Sequence, residues 1–211
     1  MEEYRISIVV PCFERPQRTR RIIGNILDQT INNWEAFVIG DGCPHFQKMI
    51  DSGEVDEFIK KAESKGNKLH CYNLSENHGG WGYHITNYAT ENAKGKYMVF
   101  AGNDDIILEN HFENYLSEIE KTELDLVYYR TFVAAHNFIR DPELKKDRVG
   151  HSELIVRTDV MRDIRHHAQY AHDWSLISEL LNKGIKTKKA ESDKITYIVT
   201  HTPGITIDII D

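Results

Sequence analysis

The chain predicts an α/β fold with one mostly parallel sheet flanked by helices, and two observations point there. Over the first hundred residues, short β-rich apolar runs alternate with longer segments whose apolar residues recur at helical spacing, the pattern of βαβ units. The same rhythm is punctuated by acids directly after two of the runs, Asp41 after one and Asp104 with Asp105 after another. In open α/β sheets ligands sit beyond the carboxyl ends of the strands, so all three acids are expected to face one crevice.

Taken in order, RISIVV reads as the first strand, and Ile22, Ile23, Ile26 and Leu27 form one face of the helix behind it. EAFVIG is the second strand, with helix marked by Phe46, Met49, Ile50, Phe58 and Ile59. KLHCYNL is a third, weaker strand, residues 83–93 read as helix, and KYMVFAG is the fourth strand. After residue 105 the rhythm changes to a helix at about 109–121, a β-rich run LDLVYYRTFVAA, a polar stretch 136–150 and the short strand SELIVR. A helix over 173–183 stops at Gly184, a residue suited to the position after a helix end, and KITYIV is the last strand. No repeat, low-complexity tract or flexible linker divides the chain, so residues 1–211 are expected to form one domain whose two halves share one sheet.

Composition narrows the function. A formal charge of -7, from 26 basic and 33 acidic residues, gives no broad footprint for a nucleic-acid backbone, leaving only a local patch at Lys186, Lys188 and Lys189. No apolar run approaches the roughly 20 residues that span a bilayer, and the start, MEEYR, lacks the features of a signal peptide, so an intracellular, cytoplasmic protein is expected. The 3 cysteines, Cys12, Cys43 and Cys71, are far apart and odd in number, which fits small core residues better than disulfides or a thiolate metal site.

The turn after the first strand, PCFERPQ, contains no glycine, so neither the dinucleotide nor the P-loop way of holding phosphates is available there. A nucleotide on this sheet needs another device. Mg²⁺ and Mn²⁺ prefer hard oxygen ligands and bind one or two carboxylates plus substrate phosphates, a role open to Asp104 and Asp105. The alternative is structural: Asn-Asp-Asp is good turn chemistry, Asn103 or Asp105 would cap a helix starting near Ile107, and Asp41-Gly42 would be a simple turn.

Several stretches, in order, resemble family 2 glycosyltransferases of the GT-A fold. ISIVVPCFERPQRTRRIIGNILDQTINNWEAFVIGDGCP is similar to that family's opening block, and NHGGWGYHITNYATENAKGKYMVFAGNDD to the block that ends in its acidic metal motif. HDWSLISELLNKG resembles the acidic motif that supplies a catalytic base, and TYIVTHTPGIT the late strand followed by a metal-binding His. The match spans about residues 6–206. The length and the AGNDD variant also resemble glycosyltransferase domains encoded by large viruses of green algae.

The resemblance implies a GT-A fold, with residues 1–105 as the nucleotide-binding half and 106–211 as the acceptor-binding and catalytic half. It implies a metal-dependent transfer of a sugar from a nucleoside-diphosphate sugar, a UDP-sugar first, to a hydroxyl of a glycan or glycoprotein acceptor. Pro11, Phe13 and Glu14 would border the base, and Asp41 would accept from uracil or ribose. Asn77, Gly79 and Gly80 would border the sugar nucleotide, with Trp81 walling the pocket. Asp104 and His201 would hold Mn²⁺ or Mg²⁺, flanked by Asn103 and Asp105, and Asp173 would be the base of an inverting displacement. The chain departs from the family at Gly102, where the first Asp of its D-x-D is usual, and at His172, where Glu is common.

Competing readings stand beside these. Asp173 would also serve as a helix N-cap. His201 would also be an ordinary histidine among 11, and His166 and His167 read as surface residues. Trp174 fits core packing or a ligand wall, and Arg157, near the end of SELIVR, is a diphosphate candidate. A retaining transferase on the same metal site, a non-catalytic UDP-sugar-binding module and a sugar nucleotidyltransferase are the rival functions, the last disfavoured by the glycine-free first turn. Because the chain stops just after the last family block, it is also expected to be one domain of a longer polypeptide.

Overall fold

The computed structural model describes residues 3–167, 172–202, 205 and 206. Its elements run β1 (Tyr4–Cys12), α1 (Pro16–Leu27), β2 (Trp34–Gly40), α2 (Pro44–Asp51), α3 (Glu54–Ser64), β3 (Lys68–Asn73), α4 (Tyr83–Asn92) and β4 (Gly95–Phe100). The second half adds β5 (Ile106–Ile107), α5 (His111–Glu120), β6 (Leu126–Tyr128), β7 (Thr131–Val133), β8 (Phe138–Arg140), β9 (Leu154–Arg157), α6 (Thr158–Met161) and α7 (His172–Asn182). It ends with β10 (Thr187–Lys189), β11 (Tyr197–Val199), β12 (His201–Thr202) and β13 (Ile205–Thr206).

The main sheet has the order β10-β6-β9-β4-β1-β2-β3. All its pairings are parallel except those of β9, which runs antiparallel to both β4 and β6. Central β2 is buried at all seven residues, as expected for a strand covered on both faces. Alternation along β1 sends Ile6, Ile8 and Val10 into one core with α1 and α5, and Val9 into the other with α4 and α7. Among the described residues no helix is long and apolar enough to cross a membrane.

The expectation of one shared sheet holds only in part. Both halves contribute to the main sheet, but the run LDLVYYRTFVAA splits, β6 staying there while β7 joins a second sheet of order β5-β11-β7-β8. KITYIV supplies β11 to that second sheet, beside β5, and so returns to the residues that follow Asp105. The helix behind β2 is also two helices, because Gly53 at φ 78° ends α2 and starts α3. The lysine patch is not an open one: Lys188 and Lys189 lie on edge strand β10, where Lys188 pairs with Glu191, Lys189 with Asp141 and, just before the strand, Lys186 with Glu123.

The edge of the sheet opposite the strand ends is fastened by one buried carboxylate. Glu35 on β2 accepts from Ser7 Oγ at 2.6 Å and from the N–H groups of Lys94 at 2.5 Å and Gly95 at 3.1 Å, with His70 Nε2 at 3.3 Å. Burial alone would raise its pKa, but the hydrogen bonds from His70, Ser7 and the Lys94 N–H together hold it below the ordinary value. This joins the starts of β1 and β4 to β2 and β3, fixing the register that determines which residue of β4 reaches the far edge. Glu35→Ala strands these buried donors, and urea unfolding is expected to show a loss of about 1–3 kcal/mol; an unchanged midpoint would contradict this role.

Candidate active site

A cavity of about 570 Å³ opens at the carboxyl ends of β1, β2 and β4, within the range of small-ligand sites. Of the residues expected from sequence, Pro11, Phe13, Glu14, Asp41, Trp81, Asn103, Asp104, Asp105 and Asp173 all line it. The parallel strands deliver the first acids by register, since Cys12 pairs with Gly40 and Val9 with Phe100, so the turns after all three strands meet at one level.

Asp104 and Asp105 are both buried, but they do different things. Asp105 turns inward, its Oδ2 accepting from Tyr197 OH at 2.8 Å and its Oδ1 from the Thr200 N–H at 3.0 Å, so β11 holds it. Burial, and then the neighbouring Asp104 charge, push its carboxyl up to about 7. Asp104 keeps its carboxylate on the cavity, ion-paired to Arg15 and 3.9 Å from Arg18, while its carbonyl accepts from Arg21 Nη2 at 2.7 Å and Thr200 Oγ1 at 2.6 Å. The capping alternative fails: residues 106 and 107 are strand, the next helix starts at His111, and Asn103 donates to Thr19 Oγ1 at 3.2 Å. Gly102 lets the two carboxylates fold back close to the chain, since a Cβ there would come within 2.9 Å of Asp104 Oδ1 and 2.8 Å of Asp105 Oδ2 and one of them would have to shift.

The first turn supplies a residue that sequence reasoning passed over. Glu14 and Arg15 both take the left-handed conformation, φ 55° and 52°, and the Glu14 N–H reaches Cys43 Sγ at 3.2 Å. Pro16 then starts α1, so the twisted backbone aims Arg15 at Asp104. Cys43 is thus more than a core filler, since its sulfur also accepts from the Phe46 N–H to cap α2; Cys12 is buried and Cys71 half-buried.

Asp41 lines the cavity and also anchors a loop. Its Oδ1 accepts the His78 N–H at 3.0 Å, and its Oδ2 accepts the Gly79 N–H at 3.0 Å and Asn77 Nδ2 at 3.2 Å. The carboxylate is engaged in holding the loop 77–82, and Asn77 and Gly79 serve that anchoring. Gly79, Gly80, Trp81 and Gly82 all have positive φ, which presents the Trp81 indole, 66% exposed, at the cavity rim.

Asp173 lies inside the first turn of α7 and not at its N-cap. Its Oδ1 is 3.1 Å from His151 Nδ1, and its Oδ2 accepts the His151 N–H at 3.4 Å. His151 and Ser152, absent from the sequence reading, line the cavity because antiparallel β9 begins at this edge. The same direction carries Arg157 to the opposite edge, where it pairs with Tyr97 of β4 and its guanidinium bonds Asp125 at 2.8 Å and Asp159, apart from the residues that line the cavity. His166 is buried, not on the surface, its ring 5.1 Å from that of His151, whereas His167 is exposed. Trp174 lines a separate groove. The His201 side chain lies outside the described residues, as does that of His172.

Among the described residues no group of three or more His, Cys, Asp or Glu side chains is arranged to hold a metal ion. Asp104 offers a hard carboxylate to the cavity, which suits a Mg²⁺- or Mn²⁺-type ion that draws its other ligands from a bound diphosphate. In the metal-free protein, Asp105 sets a pH dependence. Its folded pKa is raised from 3.8 to about 7, so its contribution to stability is full below the unfolded value and lost as pH rises through about 7. Asp105→Asn is therefore expected to gain stability relative to the parent, by a few kcal/mol, between about pH 4 and pH 8 in paired urea titrations; a pH-independent difference would contradict the assignment.

Comparison with known proteins agrees with this architecture. The model of glycosyl transferase family 2 matches residues 7–159. The glycosyltransferase GlyG of Streptococcus pneumoniae is 29% identical over 136 residues, covering 63% of this chain and 42% of that protein. S. aureus TarS 1–349 in complex with UDP-GlcNAc superposes with a TM-score of 0.76 at 18% identity, over 96% of this chain and 60% of that one. The mannosyltransferase PcManGT of Pyrobaculum calidifontis, in complex with GDP-Man and Mn²⁺, gives a TM-score of 0.71 at 15% identity, over 95% of this chain and 58% of that one. The chain thus spans less than two thirds of each of these proteins, and its fold is GT-A, a large mostly parallel sheet flanked by helices. On the family match over most of its length, this chain belongs to glycosyl transferase family 2.

Proposed function

We propose that the chain transfers a sugar from a nucleoside-diphosphate sugar, most directly a UDP-sugar, to a hydroxyl of a glycan acceptor. The observation that carries this reading is a single cavity lined by both Asp104 and Asp173. The UDP-GlcNAc complex of TarS supports the donor class, and the Mn²⁺ complex of PcManGT supports a divalent cation. Phe13 and Pro11 offer apolar surface for a base, and Trp81 closes the rim over the sugar.

Departure of a nucleoside diphosphate develops negative charge on the leaving group. Bound at Asp104, with His201 as a further ligand, a Mg²⁺ or Mn²⁺ ion would neutralise the diphosphate. Arg15 and Arg18 stand at the same carboxylate, and Arg15 released from Asp104 would turn to the diphosphate oxygens, a bidentate match for guanidinium. Asp173, on the far side, would accept the proton of the attacking hydroxyl, giving inversion. The His151 ring and backbone N–H meet the two Asp173 oxygens and orient that carboxylate.

Arg15 favours one second reading, a metal-independent site in which the arginines alone neutralise the diphosphate. Calorimetry of UDP binding decides between them: with Asp104 in use as a ligand, Mn²⁺ is expected to strengthen UDP binding at least about tenfold, while affinity unchanged by Mn²⁺ or by EDTA selects the arginines. Asp173→Asn is expected to lower transfer from the accepted UDP-sugar by about 10²- to 10⁴-fold with UDP affinity retained. Near-normal turnover by that variant would remove Asp173 from the mechanism, and an unchanged anomeric configuration in the product, read by NMR, would replace inversion with retention.

A further inference from the structure

A second cavity, of about 700 Å³, lies between β8 and the start of α7, lined by Phe138, Ile139, Arg140, Arg148, Trp174 and Asp173 among others. Asp173 is the residue that borders both this groove and the cavity at the strand ends. The two spaces therefore meet at one carboxylate, where a proton would have to be accepted. Gly150 stands at this carboxylate, where a Cβ would lie 3.3 Å from Asp173 Oδ2, and the His151 ring meets the other oxygen from the side of the first cavity.

The groove's chemistry narrows its occupant. Phe138 and Ile139 are 44% and 55% exposed on the outer strand of the second sheet, and Trp174 is half-buried. Between these apolar surfaces lie charged groups that are already matched: Arg140 Nη1 is 3.6 Å from Glu153, Arg148 Nη2 is 3.3 Å from Glu143, and Asp141 bonds Arg130 at 2.6 Å as well as Lys189. Counting Asp147 and Asp173 with Asp141 against Arg140 and Arg148, the lining carries no excess of positive charge. A phosphate, sulfate or nucleic-acid backbone is therefore not what it selects. A continuous apolar face for a peptide helix is also lacking, because the charged pairs interrupt it. Aromatic planes set among fixed hydrogen-bonding groups suit a ligand with apolar C–H faces and many hydroxyls.

We propose that this groove is the binding site for an uncharged saccharide chain, which lies across Phe138, Ile139 and Trp174 and presents one hydroxyl to Asp173. The assignment rests on the reading of Asp173 as the base, and it deepens that reading by naming the acceptor as a neutral glycan approaching from the β8 side. Phe138 and Ile139 are specificity determinants that touch the acceptor and not the donor.

The test applies the full chain, with UDP and Mn²⁺, to a printed array carrying neutral and acidic glycans, alongside the double variant Phe138→Ser, Ile139→Ser checked for an unchanged melting temperature. The expected result is binding to neutral glycans, reduced by about tenfold or more in the double variant, with UDP affinity by calorimetry the same in both proteins. UDP binding with no glycan retained, glycan binding indifferent to the double substitution, or retention of acidic glycans alone would each overturn the groove while leaving the donor site standing. Phe138-dependent binding of neutral glycans by a chain that binds no UDP would support the groove and overturn the transferase reading instead.

Discussion

Two carboxylates side by side at the end of a buried strand form the constraint around which this molecule is organised. Asp104 and Asp105 follow β4 with 7% and 6% of their surface exposed, and burial together with the neighbouring Asp104 charge opposes ionisation of Asp105. The chain separates their fates. Tyr197 and Thr200 reach across from the second sheet to hold Asp105, whose carboxyl is pushed up to about 7, and Arg15 crosses from the first turn to Asp104. The glycine at 102 leaves the space into which both carboxylates fold. The second sheet, the start of α1 and the end of β4 are thereby joined at one point.

That junction gives the site its division of labour. Asp105 works as an internal fastener and Asp104 as the group on the cavity, while Asp41, a third acid at the same level, fastens the loop that carries Trp81. On the other wall, α7 contributes Asp173 and the turn before β9 contributes His151 in contact with it. Function in this arrangement depends on which carboxylates remain available after the fold has used the rest. On the proposed reading, a divalent ion would take the Asp104 oxygen that Arg15 now holds, which would couple nucleotide binding to the position of Arg15.

Much of this was legible in the sequence wherever the signal was local. The alternation of apolar runs located β1 to β4, and register then brought Asp41 and Asp104 to one edge, as strand-end position implied. What was not legible depended on direction and distance. SELIVR reads correctly as a strand, but nothing within six residues says that it runs antiparallel to β4; that direction exchanges its ends, removing Arg157 from the site and bringing in His151. Asp41 is correctly placed, yet its hydrogen bonds go to a loop 36 to 38 residues later, which no periodicity records. Arg15 had a faint signal in ERP, a guanidinium one residue before a helix-starting proline, and Gly102 gained meaning only once the two acids were seen to fold back over it.

The central claim is that the Asp104 carboxylate passes from Arg15 to a divalent cation when a nucleoside diphosphate binds. The most direct measurement is a crystal structure of the chain with UDP and Mn²⁺, using anomalous scattering to locate the ion. The account predicts a manganese peak at about 2.1–2.2 Å from an Asp104 oxygen, bridging to the diphosphate, with the Arg15 guanidinium moved onto phosphate oxygens. UDP bound with no manganese beside Asp104, and Arg15 still paired to that carboxylate, would contradict it.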